Sequence, residues 1–427
     1  MRFEHPGHPG RQVALAYCSN LHPAESQEAI LQGLETFAAA LRARLGVRGR
    51  FGVGLYLPAR VALELCQDGA LSERDRFLTQ FERFGLEPFT FNAFPYGDFH
   101  RARLKEEVYK PTWLAPERGQ FTHAVARVAR DWAARLYGGG ATGHLSISTH
   151  PGAHQSQVHG TADLHGISRN LAEAVARLAV DHVAGEPPVV LSLEAEPWAV
   201  AGNSLALAEL RVVVSARAER VLRDHYGMGD LDAIEAVARH LGSCLDACHS
   251  AVEFEPVELA LRAATHEARP GKLQYTSALA LERPGAHPEG RARLLAMDEP
   301  RFLHQVNGRR GERLMRAADL PDLAAALQGP ESDEWLDCDE WRCHFHVPVD
   351  LEEFGGLSTT RAHADALLEG LLADPGVWGG SDLHVEIETY TWSLLPGRQA
   401  DALLEGMALE YGHVLARLER AGWNPVD

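Results

Sequence analysis

"VVLSLEAEP", residues 189–197, holds the fold in miniature. Successive side chains of a strand point to opposite faces. Leu191 and Leu193 therefore share one face, and Ser192, Glu194 and Glu196 share the other. A long helical pattern, "LAELRVVVSARAERVLRDHYG", follows. A strand that is apolar on one side and runs into a helix is a βα unit, its apolar side packed on helices. The open question is what the acidic side meets.

The same unit recurs. "VALAYCSN" (13–20), "FGVGLYL" (51–57), "EPFTFNAFP" (87–95), "GHLSIST" (143–149), "SCLDACH" (243–249), "GKLQYTSAL" (271–279), "WRCHFHVPV" (341–349) and "LHVEIETYTW" (383–392) are all strand-like, with helical periodicity between most of them. Such alternation predicts parallel βα units. About eight units in one chain predict a single closed (β/α)8 TIM barrel, here over residues 1–427. With 189–197 included the count is nine, one too many. The excess falls in 280–349, where "RFLHQVNGRRGERLMRAADL" reads as a hairpin around Asn307-Gly308. An inserted β-element over 280–340, between late strands, is the expected outcome. Gly138–Gly140 reads as a loop.

A chain of 427 residues, 45% hydrophobic and 23% charged, can bury a large core. Its formal net charge of -18 repels phosphate backbones and argues against nucleic-acid binding. Cysteines stand at 18, 66, 244, 248, 338 and 343, with no CxxC pair, as expected of free thiols in a reducing cytoplasm. "MRFEHPGHPGRQ" has no apolar run, and no stretch approaches the roughly 20 apolar residues of a membrane span. A soluble, cytoplasmic protein is expected.

Strand parity carries the functional signal. His384, Glu386, Glu388 and Tyr390 oppose Val385 and Ile387; Arg342, His344 and His346 oppose Phe345 and Val347. Lys272, Gln274 and Thr276 oppose Leu273 and Tyr275; His144, Ser146, Ser148 and His150 oppose Leu145 and Ile147. Burying an ionised carboxylate without a partner costs several kcal/mol or more. Such groups persist where they bind a metal, a cation or a polar substrate. In a barrel the C-terminal strand ends form the active-site mouth. Asp246-x-x-His249 alone reads as a helix N-cap with a stray histidine. Acids or imidazoles at four strand ends point instead to a divalent metal with mixed oxygen and nitrogen ligands.

These stretches resemble a known family. "LSLEAEP", "LDACH" and "VEIETYTW" are similar to xylose-isomerase-like barrels, the sugar isomerases and epimerases. "AYCSNLHPAES", "FTFNAFPYGDFHRARLKEEVYKPTW", "CLDACHSAVEFE", "KLQYTSAL", "DEPRFLHQV", "CHFHVPV" and "IETYTW" resemble the EboE family, metabolite-traffic proteins of bacterial ebo gene clusters, over roughly residues 13–420. The resemblance implies a xylose-isomerase-like barrel and a functional link to other ebo-cluster proteins. In the epimerase group a divalent metal, often Mn2+, is held by a Glu, an Asp, a His and a second Glu. Carried over, these are Glu194, Asp246 and Glu388, with Mn2+, Mg2+ or Zn2+ as the metal. The position of the family's histidine holds Gln274. His346 has the right chemistry but follows an insertion, so both stand as candidate ligands.

The implied reaction is isomerisation or epimerisation of a small polyhydroxylated metabolite: a sugar, sugar phosphate or cyclitol. Glu194 and Glu388 would take and return the proton, Asp246 would anchor the metal, and His249 would bind a substrate hydroxyl. Glu196 and Glu386 would support the pair, and Asn92 and His150 would reach the same mouth. "FPYGDFHRARLKEEVYKPTW" reads as a lid, or as a surface ion-pair cluster, with Lys105 as a substrate contact. The alternative is a barrel that binds or hands over a metabolite without turning it over. A phosphodiesterase on the same fold is disfavoured by the net charge and by a shortage of histidine ligands.

Overall fold

Eight parallel strands close on themselves in the computed structural model, which describes residues 1–100, 103–137, 143–266, 268–394 and 402–426. They are β1 (Gln12–Cys18), β2 (Phe51–Tyr56), β3 (Leu86–Asn92), β4 (Leu145–Thr149), β5 (Val189–Glu194), β6 (Leu241–Asp246), β7 (Arg269–Tyr275) and β8 (Asp382–Ile387). Each pairs with the next in parallel, and β8 returns to pair with β1. This is the expected (β/α)8 barrel. Gly138–Gly140 lies outside the described residues. Among the described residues no helix is long and apolar enough to cross a membrane.

The alternation decides which way each side chain goes. Leu191, Leu193, Leu273, Tyr275, Val385 and Ile387 are buried in one large core with the apolar stripes of the surrounding helices. Burying each such side chain fully is worth about 1.5–3 kcal/mol. The opposite face, Ser192, Glu194, Lys272, Gln274, His384 and Glu386, is buried inside the barrel. Glycine makes room there: a Cβ at Gly54 would fall 1.6 Å from Glu386 Oε1, and one at Gly271 would fall 1.9 Å from Ser192 Oγ. The polar atoms largely satisfy one another. Lys272 Nζ donates to Glu386, and Ser146 Oγ donates to Thr90 at 2.7 Å. At the closed end, Asp382 contacts both His144 (2.9 Å) and His384 (3.0 Å), whose rings stack with centroids 3.9 Å apart.

The ninth strand belongs to a second sheet. Ser277–Glu282 starts just beyond the end of β7 and begins an antiparallel sheet with Val306–Arg310, Arg313–Ala317, Glu340–Val347, Glu353–Phe354 and Leu357–Thr359. Because it grows from the C-terminal end of a barrel strand, it stands at the mouth. It packs a core of its own around Leu279, Leu281, Trp335 and Trp341. The insertion thus runs through 277–359, wider than the expected 280–340.

The hairpin is real, but its turn is not at Asn307-Gly308. Those residues lie inside Val306–Arg310, and the pairing runs out to Arg310 opposite Arg313, with Gly311 at φ +57° in the turn. Asn307 donates its amide to the Val252 carbonyl (2.9 Å) and to Glu253 (3.1 Å). Gly308 admits the chain beside Cys338, whose Sγ would be 2.8 Å from an added Cβ. Packing has claimed both residues of a strong turn signal.

Candidate metal centre at the barrel mouth

Glu194 ends β5, Asp246 ends β6, and Glu388 follows β8 by one residue. All three are buried, and a carboxylate oxygen from each lies within 4.8 Å of the other two. Asp246 is also the N-cap of helix Ala247–Val252: its Oδ1 accepts the His249 N–H at 2.8 Å. The plain N-cap expectation therefore holds for one oxygen. The other, Oδ2, has no partner, and neither has Glu194 Oε2. Glu388 Oε1 accepts from Asn20 (2.7 Å) and Asn92 (3.1 Å).

Three carboxylates in this space cannot all be ionised without compensation. Burial first, then the charges of Glu388, Asp246 and Glu196, pushes the Glu194 carboxyl well above its ordinary range. Burial, then Glu386 and Asp246, does the same to Glu388. The cluster needs protons or a cation, and its orphaned, buried oxygens fit a divalent ion with oxygen ligands.

Beside the acids, three imidazoles meet. His249 stands in the first turn after Asp246, and His344 and His346 lie on the inserted strand Glu340–Val347. Their Nε2 atoms are 3.2 Å (His249 to His344), 3.3 Å (His249 to His346) and 3.0 Å (His344 to His346) apart. Glu196 Oε2 lies 3.4 Å from His249 Nε2. Burial raises the Glu196 carboxyl to about 7 and lowers His346 to about 4. Burial pulls His249 down, but Asp246 and Glu196 outweigh it and raise the imidazole above its usual value. These buried His, Asp and Glu groups form clusters able to hold a metal ion.

Glu194, Glu196, Glu388 and the three imidazoles line one face of a cavity whose other walls are largely apolar: Phe94, Phe99, Tyr109, Phe302, Leu303 and Tyr390. Its volume is about 60 Å³, so it is a narrow slot. The segment after β3 supplies Phe94, Phe99, Leu104, Val108 and Tyr109, as a lid would. Arg118, fully buried, ties it down by donating to the carbonyls of Phe94 (2.7 Å), Pro111 (2.8 Å), Ala93 (3.1 Å) and Tyr109 (3.4 Å).

Several expected residues are placed differently. Lys105 lines the cavity, but its ammonium is engaged by Asp319 at 2.6 Å, fastening the lid to the insertion. His150 does not line the cavity; it sits behind Phe94 and Tyr109, against the edges of their rings. Gln274 lies deeper than the mouth, its Oε1 taken by the Cys244 thiol at 2.8 Å, while its amide nitrogen has no partner. Glu386 is one layer down, paired with Lys272. Asn92 and His346 do reach the mouth. The expected shortage of histidine ligands is corrected, since three converge. Asn20 and Gln305 were not singled out as site residues; Tyr390 and His344 carried one signal, their strand parity with Glu388 and His346.

No protein-family model matches the chain, and no curated protein matches it.

Proposed function

We propose that the chain is a divalent-metal-dependent isomerase or epimerase acting on a small polyhydroxylated metabolite, a sugar, sugar phosphate or cyclitol. The observation that carries this is the meeting of Glu194, Asp246 and Glu388, buried and part-unpartnered, with Glu194 and Glu388 facing a slot whose other walls are largely apolar. A divalent ion held by these oxygens would neutralise charge developing on substrate oxygens.

Two carboxylates on different strands suit a proton taken from carbon on one side and returned on the other. Asn20 and Asn92 fix Glu388 through Oε1, leaving Oε2 outside those bonds. Burial raises the proton affinity of the Glu194 and Glu388 carboxyls. Glu196 and His249 stand where substrate hydroxyls would be bound. The aromatic roof limits water at the reacting carbon. The resemblance to sugar isomerases and epimerases supports this substrate class.

The test is direct. Protein stripped and reloaded with Mn2+ or Mg2+ is incubated with candidate sugars and cyclitols in deuterated water. Deuterium should enter at carbon, and Glu388→Gln should abolish its entry. Binding of a sugar without exchange would assign the barrel to metabolite carriage instead.

A further inference from the structure

The carboxylate cluster uses none of the three imidazoles as a ligand, and their hydrogen bonding is specific. His249 Nδ1 lies 2.9 Å from the Ala195 carbonyl, and His346 Nδ1 lies 2.9 Å from the Glu388 carbonyl. A carbonyl only accepts, so each Nδ1 carries the proton. His344 Nδ1 lies 2.5 Å from Gln305 Oε1, and the Gln305 amide nitrogen donates to the Pro197 carbonyl at 3.3 Å, which fixes that oxygen as an acceptor too. All three rings are therefore Nδ1–H tautomers when neutral, and all three Nε2 lone pairs face one another at 3.0–3.3 Å. Lone pairs in mutual contact repel. A cation among them answers all three at once.

The distances suit one. Tetrahedral ligation at about 2.05 Å sets nitrogen-to-nitrogen edges of about 3.3 Å. Three nitrogens at the observed spacing hold an ion roughly 0.9 Å out of their plane, the base of a tetrahedron with its fourth corner open. Glu196, with His249 and His344, presents a carboxylate within 4.8 Å. Tyr390 places its hydroxyl 3.4 Å from His344 Nε2. Two backbone carbonyls and one side-chain amide oxygen orient the rings through their remote N–H groups, the supports that metal-binding histidines use.

We propose that His249, His344 and His346 form a second metal site, nitrogen-rich and four-coordinate, completed by Glu196 or a substrate oxygen and selective for Zn2+ or Co2+ over Mg2+. Oxygen-only donors at Glu194, Asp246 and Glu388 favour Mg2+ or Mn2+; imidazoles favour the later transition metals. Asp246, His249 and His346 also lie within 4.8 Å of one another, so the two sites are adjacent. This inference shares the mouth with the isomerase proposal but does not depend on it.

Full-length protein stripped with a chelator is titrated with Co2+ and followed by visible absorption. A tetrahedral nitrogen-rich site gives an intense band saturating at about one equivalent, whereas six-coordinate oxygen ligation gives a weak one. His344→Gln should lose the band and weaken Co2+ binding by at least about 100-fold. Gln305→Leu keeps all three imidazoles and removes one orienting acceptor; it should weaken binding by about 10–100-fold and serves if His344→Gln fails to fold. Glu388→Gln should keep the Co2+ band and lose Mn2+ binding. A weak spectrum in the unaltered protein, or unchanged Co2+ affinity in His344→Gln and Gln305→Leu, overturns the site. An intact Co2+ band in a protein that never takes up Mn2+ or Mg2+ sinks the isomerase proposal and leaves this one standing.

Discussion

Replacing Lys272 by methionine probes the polar interior one layer below the mouth. The Lys272 ammonium contacts the Glu386 carboxylate, and both side chains are 0% exposed. Glu386 Oε1 has no hydrogen-bond partner of its own, so Lys272 is the partner on which the carboxylate relies. The two charge centres lie roughly 4 Å apart, and at an effective dielectric of about 20 they attract by about 4 kcal/mol. Removing one member strands the other in the barrel, an effect of about 3–5 kcal/mol. Lys272→Met should therefore cost about that much, and Glu386→Gln, which strands the ammonium, about the same. The double variant removes both charges. It should cost only about 1–3 kcal/mol, for an amide buried with imperfect partners. The coupling between the two changes is then about 3 kcal/mol or more. Urea denaturation of the four proteins, followed by far-ultraviolet circular dichroism, reads the whole cycle. If either single variant loses less than about 1 kcal/mol, or if the costs add, the pair does not hold the interior as argued here.

Three further expectations follow from the same packing. Gly54→Ala puts a Cβ 1.6 Å from Glu386 Oε1 and must displace the carboxylate; its melting temperature should fall well below that of Gly69→Ala, where nothing lies within 4 Å, and equal values would show that the interior adapts freely. Arg118→Met removes four hydrogen bonds to lid carbonyls; because each bond to a charged group is worth about 1.5–3 kcal/mol, protease cleavage within 95–113 should quicken about tenfold or more while the circular dichroism stays unchanged, and an unchanged cleavage rate would contradict the clamp. His240 donates Nδ1–H to the Val189 carbonyl at 2.7 Å, and burial lowers it to about 4. Its folded value lies below its unfolded value, so between about pH 6.5 and 4 only the unfolded chain binds the proton, and stability falls with pH by up to about 1.4 kcal/mol per unit. His240→Gln should flatten the decline in urea midpoint from about pH 7 to about pH 5, and an identical decline would remove this histidine from the account.

The barrel was legible because its two periods are written plainly: alternation in the strands, and helical repeats between them. Leu191 and Leu193 against Ser192 and Glu194 could be sorted to opposite faces without coordinates, and the structure sorts them so. The ninth strand was not assignable by the same means. "WRCHFHVPV" in the second sheet also packs Phe345 on one side and turns His344 and His346 to the mouth on the other, so its pattern matches that of a barrel strand. Parity reports that a strand has a wet face; it does not report which sheet owns it. The hairpin turn failed for a different reason. Asn307-Gly308 has the right chemistry for a turn, but contacts with Val252 and Glu253, distant in sequence, use it inside a strand.

At the mouth, the carboxylates were visible because each is a side chain at the end of its own strand. The imidazoles were visible singly but not as a set, because what brings them together is the insertion and the main chain. His249 and His344 are 95 residues apart, and the groups that set the tautomers of His249 and His346 are the Ala195 and Glu388 carbonyls, which every residue type possesses. Ala195 follows Glu194 directly, and Glu388 itself serves twice: its carboxylate joins the acids and its carbonyl orients His346. The ends of β5 and β8 therefore each touch both donor sets. A side-chain change such as Glu388→Gln keeps that carbonyl in place and separates the two sets. A shift of the β8 terminus would move both together. Site-directed variants alone should thus show two independent metal affinities, whereas any perturbation that loosens β8 should lower the two in parallel.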